Sequence, residues 1–493
     1  MAAEPGLGVP ATQAGSRAPA QHRASATQAG VLDLGRPRRI HVVGIGGAGM
    51  SAIAEVLATM GHEVTGSDAA PSPVLDRLRG LGMDVAVGHD AAHVGDAEVV
   101  TVSTAIRPDN AEVVAARSRG VPVLRRAETL AAIAATRRTI AVAGTHGKTT
   151  TTAMLATALA GAGLRPSFLV GGVIAGLGTG AAWDEGEWLV VEADESDGTF
   201  LALAPEVAVV TSVEPDHLDQ WGSFDALVTA FERYAGDAPA ALVCADDAGA
   251  AGVGERVGAD TYGTAQAAGL RIVDLSLEPG ASRFVLERDG RPLGEVRVPA
   301  PGRHNALNAT AAVGAALLAG APFAAVVDAL SRYPGVGRRF ERRGEAGGVT
   351  FVDDYAHLPA KVAAAVAAAR GGGWRRVVAV FQPHRYTRTE ALGRDFATSF
   401  DGVDLLVVTD VYGAGEEPRP GVTGKVVVDA VLDARPNQAV AWLPRRQEVV
   451  AFLRSRLRPG DVCLTLGAGD ITTLAGDLLP DDPLAADSPA GRS

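Results

Sequence analysis

Short runs of β-branched and aliphatic residues recur along the chain, each followed by a longer Ala- and Leu-rich stretch. Residues 40–43, 139–142, 188–191, 207–210, 377–380 and 405–408 read as strands, and residues 50–60, 150–161, 305–319 and 360–370 as helices. Most strand positions are apolar, with little alternation. A strand with one wet face alternates, whereas a strand apolar on both faces is covered on both, as in parallel sheets flanked by helices. The pattern therefore predicts an α/β chain. One segment departs from it: residues 270–298 alternate at period two around Asp289-Gly290, which predicts an antiparallel hairpin beside a main sheet.

The pattern divides into three blocks, 37–137, 138–333 and 334–480, the last opening after the Gly/Pro break Tyr333-Pro334-Gly335-Val336-Gly337. Three domains suit 493 residues at roughly 100–200 per domain. Outside them, 1–36 and 481–493 are poor in large apolar side chains, and Ala-Thr-Gln-Ala-Gly occurs at 11–15 and again at 26–30. Both flanks are expected to be disordered tails.

Hydrophobic residues make up 47% and charged residues 21%, enough for large cores. A net charge of −12 excludes broad nucleic-acid binding, which needs many Lys and Arg contacts to phosphate. It leaves room for small phosphorylated ligands, which need only local donors. Two cysteines, Cys244 and Cys463, make no disulfide framework or structural zinc motif. No apolar run reaches the roughly 18 residues that span a bilayer, and no secretory signal opens the chain. A cytoplasmic location without membrane insertion is the expectation. Of the 45 basic residues only Lys148, Lys361 and Lys425 are lysines.

The strongest local motif is Gly144-Thr145-His146-Gly147-Lys148-Thr149-Thr150, between a predicted strand and a predicted helix. Backbone N–H groups of such a loop cradle phosphate oxygens at a helix N-terminus. Lys148 would reach the β- and γ-phosphates of a nucleotide, and the Thr149 hydroxyl would bind Mg²⁺. Two residues, not four, separate its first glycine from Gly147-Lys148. A second glycine loop, Gly44-Ile45-Gly46-Gly47-Ala48-Gly49, lies in the same setting, with Asp68 19 residues beyond Gly49. It fits a diphosphate of NAD, FAD or a UDP-sugar equally. Acidic residues close two further strands, at Glu192-Ala193-Asp194-Glu195-Ser196-Asp197 and Glu214-Pro215-Asp216-His217-Leu218-Asp219. One or two of these six-residue sets' acids suit a Mg²⁺ site near phosphates. In Gly302-Arg303-His304-Asn305-Ala306-Leu307-Asn308, Asn305 suits a ligand contact or a helix cap. In the third block, Asp353-Asp354-Tyr355-Ala356-His357 and Pro383-His384-Arg385-Tyr386-Thr387-Arg388 supply a possible carboxylate clamp, since guanidinium pairs bidentately with carboxylates.

The ordered set of these motifs resembles the Mur ligase family over about 38–475, and within it the alanine-adding subtype. Gly44 to Ser51, Phe381 to Thr389, Asp410 to Glu416 and Leu466 to Ile471 carry the subtype resemblance. The resemblance implies an N-terminal Rossmann-like UDP-sugar domain, a central P-loop ATPase domain with a small antiparallel addition, and a C-terminal Rossmann-like amino-acid domain. It implies a peptidoglycan-precursor ligase with ATP and Mg²⁺ as cofactors and UDP-N-acetylmuramate and L-alanine as small-molecule substrates. The chain would be a monomer or homodimer. Phosphorylation of the lactyl carboxylate would give an acyl phosphate, which the alanine amine attacks through a tetrahedral intermediate.

Carried onto this sequence, the resemblance assigns Gly144, Thr145, His146, Gly147, Lys148, Thr149, Thr150, Asn305, Arg339 and Asp354 to ATP. Gly44, Gly46, Gly47, Gly49, Met50, Ser51, Asp68 and Ser103 go to the UDP-sugar, and Tyr355, His357, Arg385 and Arg388 to the amino acid. Thr149, Glu192 and His217 go to the metal, His217 with a second ion. Lys148, Glu192, His217 and His357 are the implied catalytic residues, His357 helping to deprotonate the amine. The sequence departs from the subtype at Leu358, where a second histidine is usual, and has no lysine between Lys148 and Lys361 to carbamylate. Other readings are a ligase that attaches a preformed tripeptide to the same UDP-sugar, an NAD(P)-dependent oxidoreductase built on 44–49, and a non-catalytic nucleotide-binding protein.

Overall fold

The computed structural model describes residues 32–278 and 280–479. Of the expected tails, 1–31 and 481–493 lie outside them. Residues 32–36 lie inside, and Leu34 is buried against the first domain's core.

Three sheets follow one another along the chain. The first holds β1 (Arg39–Val43), β2 (Glu63–Asp68), β3 (Asp84–Val87), β4 (Val99–Val102) and β5 (Val123–Arg125), in the order β3-β2-β1-β4-β5. All its pairings are parallel. The strand order reverses between β1 and β4, and ligands of such sheets bind outside the strand ends at that point.

The second sheet has ten strands: β6 (Arg138–Ala143), β7 (Ser167–Ile174), β8 (Thr179–Ala182), β9 (Trp188–Glu192), β10 (Val207–Val210), β11 (Ala240–Cys244), β12 (Asp260–Gly263), β13 (Leu270–Glu278), β14 (Ala281–Arg288) and β15 (Arg291–Val298). Their order is β15-β14-β13-β12-β11-β10-β6-β9-β7-β8. β6, β9 and β10 sit at its centre, and Ile140 to Ala143, Trp188 to Val191 and Val207 to Val210 are buried throughout, as their unbroken apolar runs require. The alternating segment forms three antiparallel strands, not one hairpin. Asp289-Gly290 makes the second turn, and Gly280, at φ 77°, belongs to the first.

The third sheet runs β16-β17-β21-β18-β19-β20, from β16 (Glu341–Ala346), β17 (Val349–Asp354), β18 (Arg376–Phe381), β19 (Leu405–Val408), β20 (Val440–Trp442) and β21 (Asp461–Leu466). Only its β16 edge is antiparallel. The predicted helices are Ala48–Thr59, Lys148–Gly161, Arg303–Leu318 and Pro359–Gly371.

The first two domains share one continuous apolar core, with helix Ala48–Thr59 against the outer strand β8. The third has its own cores and is pinned to the second through the predicted linker. Ala175 N–H donates to Gly335 O at 3.0 Å, Gly337 N–H to Val173 O at 2.8 Å, and Ile174 bridges Val336.

A buried carboxylate ties the first sheet together. Glu112, fully buried on helix Ala111–Ser118, accepts from Ser67 Oγ at 2.7 Å and meets His93 Nδ1 at 2.9 Å and His89 Nδ1 at 3.0 Å. His41 Nε2 on β1 lies 3.7 Å away. Burial works against the charge, but hydrogen bonds from His41, Ser67, His93 and His89 outweigh it and hold the carboxyl down at about 2. A carboxylate whose folded value is depressed stabilises the fold above its ordinary value, and that contribution is lost as pH falls. Stabilisation by Glu112 should thus be complete above about pH 4.5 and disappear towards about pH 2. At pH 7 Glu112→Gln is expected to cost roughly 3 kcal/mol. Urea unfolding from pH 7 to pH 3 checks this: the gap between wild type and variant should close as the pH falls.

Candidate functional site

The phosphate loop leaves β6 at Gly144, whose φ of 135° and surroundings leave no room for a side chain. A Cβ there would lie 2.8 Å from Ser212 N. The loop is moored to the end of β10: Thr145 N–H donates to Ser212 O at 3.0 Å and His146 N–H to Ser212 Oγ at 2.9 Å. His146 Nε2 pairs with Glu214 Oε2 at 3.0 Å. Gly147, at φ 79°, starts helix Lys148–Gly161, and a Cβ there would meet Asn308 Oδ1 at 2.5 Å.

Lys148 and Thr149 open that helix. Lys148 Nζ donates to Gly144 O at 2.7 Å and to both Glu195 oxygens, at 2.9 and 2.6 Å. Burial disfavours the ammonium, and Glu195, Asp194 and Glu192 more than offset this, so the lysine stays charged. Thr149 Oγ1 donates to Glu192 Oε1 at 3.0 Å and accepts from Arg339 Nη2 at 3.0 Å. Gly171 N–H holds the other Glu192 oxygen at 2.7 Å. Thr150 makes no side-chain hydrogen bond among the described residues.

Thr149 and Glu192 form a pair of hard oxygen ligands of the kind Mg²⁺ takes alongside phosphates and water. Among the described residues no group of three or more His, Cys, Asp or Glu side chains is arranged to hold a metal ion. His217, at φ 53°, turns its Nε2 to within 3.6 Å of Asp216, and no bond among the described residues joins it to Thr149 or Glu192.

Asn305 is not the helix cap. Gly302 takes that position, and Asn305 lies inside the first turn of Arg303–Leu318, donating to Pro301 O at 2.8 Å and accepting from Asn308 at 3.3 Å.

At the first sheet, Gly44 lies at the β1/β4 reversal, where a Cβ would come within 3.0 Å of Ser103 Cβ. Gly47 N–H donates to Gly44 O at 3.3 Å, and Met50 and Ser51 are buried in the first turn beyond. Asp68 accepts from Gly46 N–H at 2.8 Å, so one of its oxygens holds the loop itself. A Cβ on Gly49 would lie 3.2 Å from Arg126 Nη1.

In the third domain Asp354 accepts from Phe340 N–H and Ala356 N–H, both at 2.8 Å, and burial pushes its carboxyl up to about 6. The guanidinium groups of Arg338 and Arg339 stand 4.9 and 5.1 Å from the Tyr355 ring centre. His357 donates from Nδ1 to Tyr355 O at 2.8 Å, leaving Nε2 as the acceptor. Burial, then Lys361 and Arg388, hold it well below its ordinary value, so it is neutral. Its ring centre lies 5.6 Å from that of His384, which accepts from Arg388 at 2.9 Å. Arg385, at φ 67°, is fixed by its N–H to Tyr412 O at 2.8 Å. Leu358 is buried at the position before helix Pro359–Gly371.

Three sequence models of one family match the chain: "Mur ligase family, catalytic domain" at 39–138, "Mur ligase middle domain" at 142–316 and "Mur ligase, glutamate ligase domain" at 338–469. The chain belongs to the Mur ligase family. Among its relatives, the UDP-N-acetylmuramate--L-alanine ligase of Kineococcus radiotolerans is 49% identical, over 92% of this chain and 98% of its own. The enzyme of the same name from Myxococcus xanthus is 45% identical, over 91% and 97%. A crystal structure of the UDP-N-acetylmuramate-alanine ligase of Thermotoga maritima superposes with a TM-score of 0.78 at 29% identity, covering 90% of this chain and 98% of that one. A murein peptide ligase from Psychrobacter arcticus shares the fold, with a TM-score of 0.66 at 23% identity over 90% and 98%.

Two residues around the Lys148 loop escaped the sequence reading as individuals. Glu195 stood among several acids, and only the direction of its side chain picks it out as the partner of Lys148. Arg126 had no motif around it. It lies over the Gly49 turn and pairs with Asp197 at 2.9 Å and Asp194 at 3.7 Å, joining the first domain to the acidic loop of the second.

A nucleotide phosphate reaching Lys148 would compete with Glu195. Breaking a buried pair from one side costs about 3 kcal/mol. Glu195→Gln is therefore expected to melt several degrees lower without ligand, yet to bind ADP more tightly than wild type. Calorimetric titration beside a thermal melt checks both; weaker ADP binding would make Glu195 a support of the phosphate site, not its competitor.

Proposed function

We propose that this chain joins L-alanine to the lactyl carboxylate of UDP-N-acetylmuramate, with ATP converted to ADP and phosphate, as the first addition to the peptidoglycan peptide stem. One observation carries the reading: residues of all three domains converge on a single phosphate loop. Arg126 reaches from the first domain to the acidic loop beside Lys148, and Arg339 reaches from the third to Thr149. The shared name of the relatives at 45–49% identity supports the choice of substrates. The reaction belongs in the cytoplasm, where ATP is available; no helix of the described residues is long and apolar enough to cross a membrane.

The glycine loop at 44–49 and the first turn beyond it, with Ser103 opposite, receive the UDP diphosphate at a helix N-terminus. The phosphate loop receives ATP, with Asn305, Arg339 and Asp354 around the nucleotide. A carboxylate is a poor acyl donor because its oxygen is a bad leaving group. In the first step a lactyl carboxylate oxygen attacks the γ-phosphorus, the bond to the bridging oxygen breaks, and ADP departs with that electron pair. Lys148 holds positive charge against the phosphoryl oxygens as the two anions approach. Mg²⁺, held by Thr149 and Glu192 with His217 near a second ion, would further neutralise the phosphates.

In the second step the amine attacks the acyl carbon, and phosphate leaves with the electrons of the C–O bond. Arg385 and Arg388 hold the amino-acid carboxylate. The Nε2 lone pair of neutral His357 takes a proton from the ammonium, which must lose it before it can attack.

Phosphate release from the full chain with ATP, Mg²⁺ and UDP-N-acetylmuramate should be fastest with L-alanine and slower with glycine or L-serine, giving a product heavier by one alanine residue. Lys148→Ala should lower kcat on the order of 1,000-fold, and EDTA should stop the reaction. Release only with L-Ala-γ-D-Glu-meso-diaminopimelate would instead assign a tripeptide ligase. No release with any acceptor would overturn the ligase reading.

A further inference from the structure

Three neighbouring strands of the third sheet, in the order β21-β18-β19, run parallel, so the loops that follow them open at one sheet edge. The loop after β18 holds His384 and Arg385 and leads into the helix of Arg388, the loop after β19 holds Tyr412, and the loop after β21 holds Gly469. The three loops meet on Tyr412. Its ring stacks on the His384 imidazole, with the two planes 10° apart and the ring centres 5.9 Å apart. On the β21 side, a Cβ on Gly469 would lie 2.5 Å from Tyr412 Cγ, so glycine there leaves room for the ring. Tyr412 is nonetheless 38% exposed and belongs to neither apolar core of the domain. Burial does not account for an aromatic residue at this place.

The main chain and the side chain of Tyr412 act on different arginines. Tyr412 N–H donates to Pro383 O at 2.9 Å, and Arg385 N–H donates to Tyr412 O at 2.8 Å, a two-bond bridge between the loops. The bridge holds Arg385 at φ 67°, a left-handed conformation that a residue with a Cβ keeps only where its surroundings impose it. Any residue but proline at position 412 could make these two bonds. The ring does what the backbone cannot. His384, on which it stacks, accepts through Nδ1 from Arg388 Nη1 at 2.9 Å. That is the one side-chain hydrogen bond of Arg388 among the described residues, so the imidazole is what aims its guanidinium. A turn of the imidazole would carry Arg388 with it, and the face of Tyr412 opposes that turn.

We propose that Tyr412 is a positioning residue of the acceptor site: by stacking on His384 it aims the Arg388 guanidinium at the carboxylate of the incoming amino acid. The proposal rests on the ligase reading above, in which Arg385 and Arg388 hold that carboxylate. The ring touches no reacting atom and moves no proton. A guanidinium pairs with a carboxylate through two parallel hydrogen bonds only when its plane is set for them. An Arg388 left free to turn would bind the acceptor more weakly and leave the attack of a bound amine as it was. The aromatic face carries the effect, and the hydroxyl is not needed for a stack.

The test uses the full-length chain with Y412F, Y412L, H384A and the double variant Y412L/H384A. Each is assayed for phosphate release with ATP, Mg²⁺ and UDP-N-acetylmuramate, the acceptor being L-alanine or hydroxylamine, an amine with no carboxylate. Y412L fills space but has no ring face. It should raise KM for L-alanine on the order of 10-fold, with kcat within a few-fold of wild type. Y412F should match wild type, and with hydroxylamine Y412L should match it too. H384A should raise KM for L-alanine at least as far as Y412L. The double variant should go no further than H384A, because the ring acts through the imidazole. An unchanged KM in Y412L, an equal loss with hydroxylamine, or effects of Y412L and H384A that multiply would each overturn the role of Tyr412 and leave the ligase reading standing. Should Y412L not fold, Y412M and Y412A are read against the same outcomes. A wild-type chain that releases no phosphate with either acceptor overturns both.

Discussion

Lys148 must keep a charged ammonium out of water at the start of a helix, where the backbone dipole already repels it. The fold meets that constraint with carboxylates carried on neighbouring strand ends. β9 ends in Glu192 and the loop that holds Asp194 and Glu195, and the central strand β6 ends in the loop that Lys148 closes. Those carboxylates more than offset the burial that disfavours the ammonium. The apolar centre of the ten-stranded sheet is what allows this: strands buried on both faces fix their ends to within a hydrogen bond, so one strand end can present a cation and the next its counter-charge.

The same logic joins the domains. Arg126 crosses to Asp194 and Asp197, and Arg339 crosses to Thr149, so each outer domain touches the central one beside the Lys148 loop. An arginine suits such crossings because its planar fork stays charged in any setting and spans two partners at once. The loop is therefore already crowded with paired charges. On the proposed function, ATP and a carboxylate substrate would enter by exchanging partners with groups already in place.

Much of this was legible in the chain because the relevant signals are local. The apolar runs at 139–142, 188–191 and 207–210 are the middle of the central sheet, and the Gly144 and Gly147 turns are glycine because a Cβ would strike Thr211, Ser212 or Asn308. The parts that were not legible depend on direction and on distance along the chain. Glu192 and Glu195 look alike in sequence, and only the path of the loop sends one to Thr149 and the other to Lys148. The capping role open to Asn305 went to Gly302, whose φ of 103° no other residue adopts as readily. The third antiparallel strand was missed because the alternating run was read around Asp289-Gly290 alone, although Pro279-Gly280 is itself a turn signal. Asp68, read as part of a ligand fingerprint, spends one oxygen on Gly46 N–H and so shapes the loop before any ligand arrives.

The acceptor side raises the opposite electrostatic problem, and Leu358 is explained by it. Burial, then Arg388 and Arg385, pull His384 down to about 4, and burial, then Lys361 and Arg388, hold His357 well below its ordinary value. A charged imidazole here would repel the incoming ammonium and have no lone pair to offer it. A neutral one, its Nδ1 committed to Tyr355 O, would, on the proposed function, present Nε2 to the amine while the arginines engage the carboxylate. A second imidazole near His357 is already present, since His384 reaches it from another loop at 5.6 Å. Position 358 is buried at the entrance to a helix, where a further titratable ring would need a partner of its own. An apolar side chain there adds no buried polar group for the fold to satisfy.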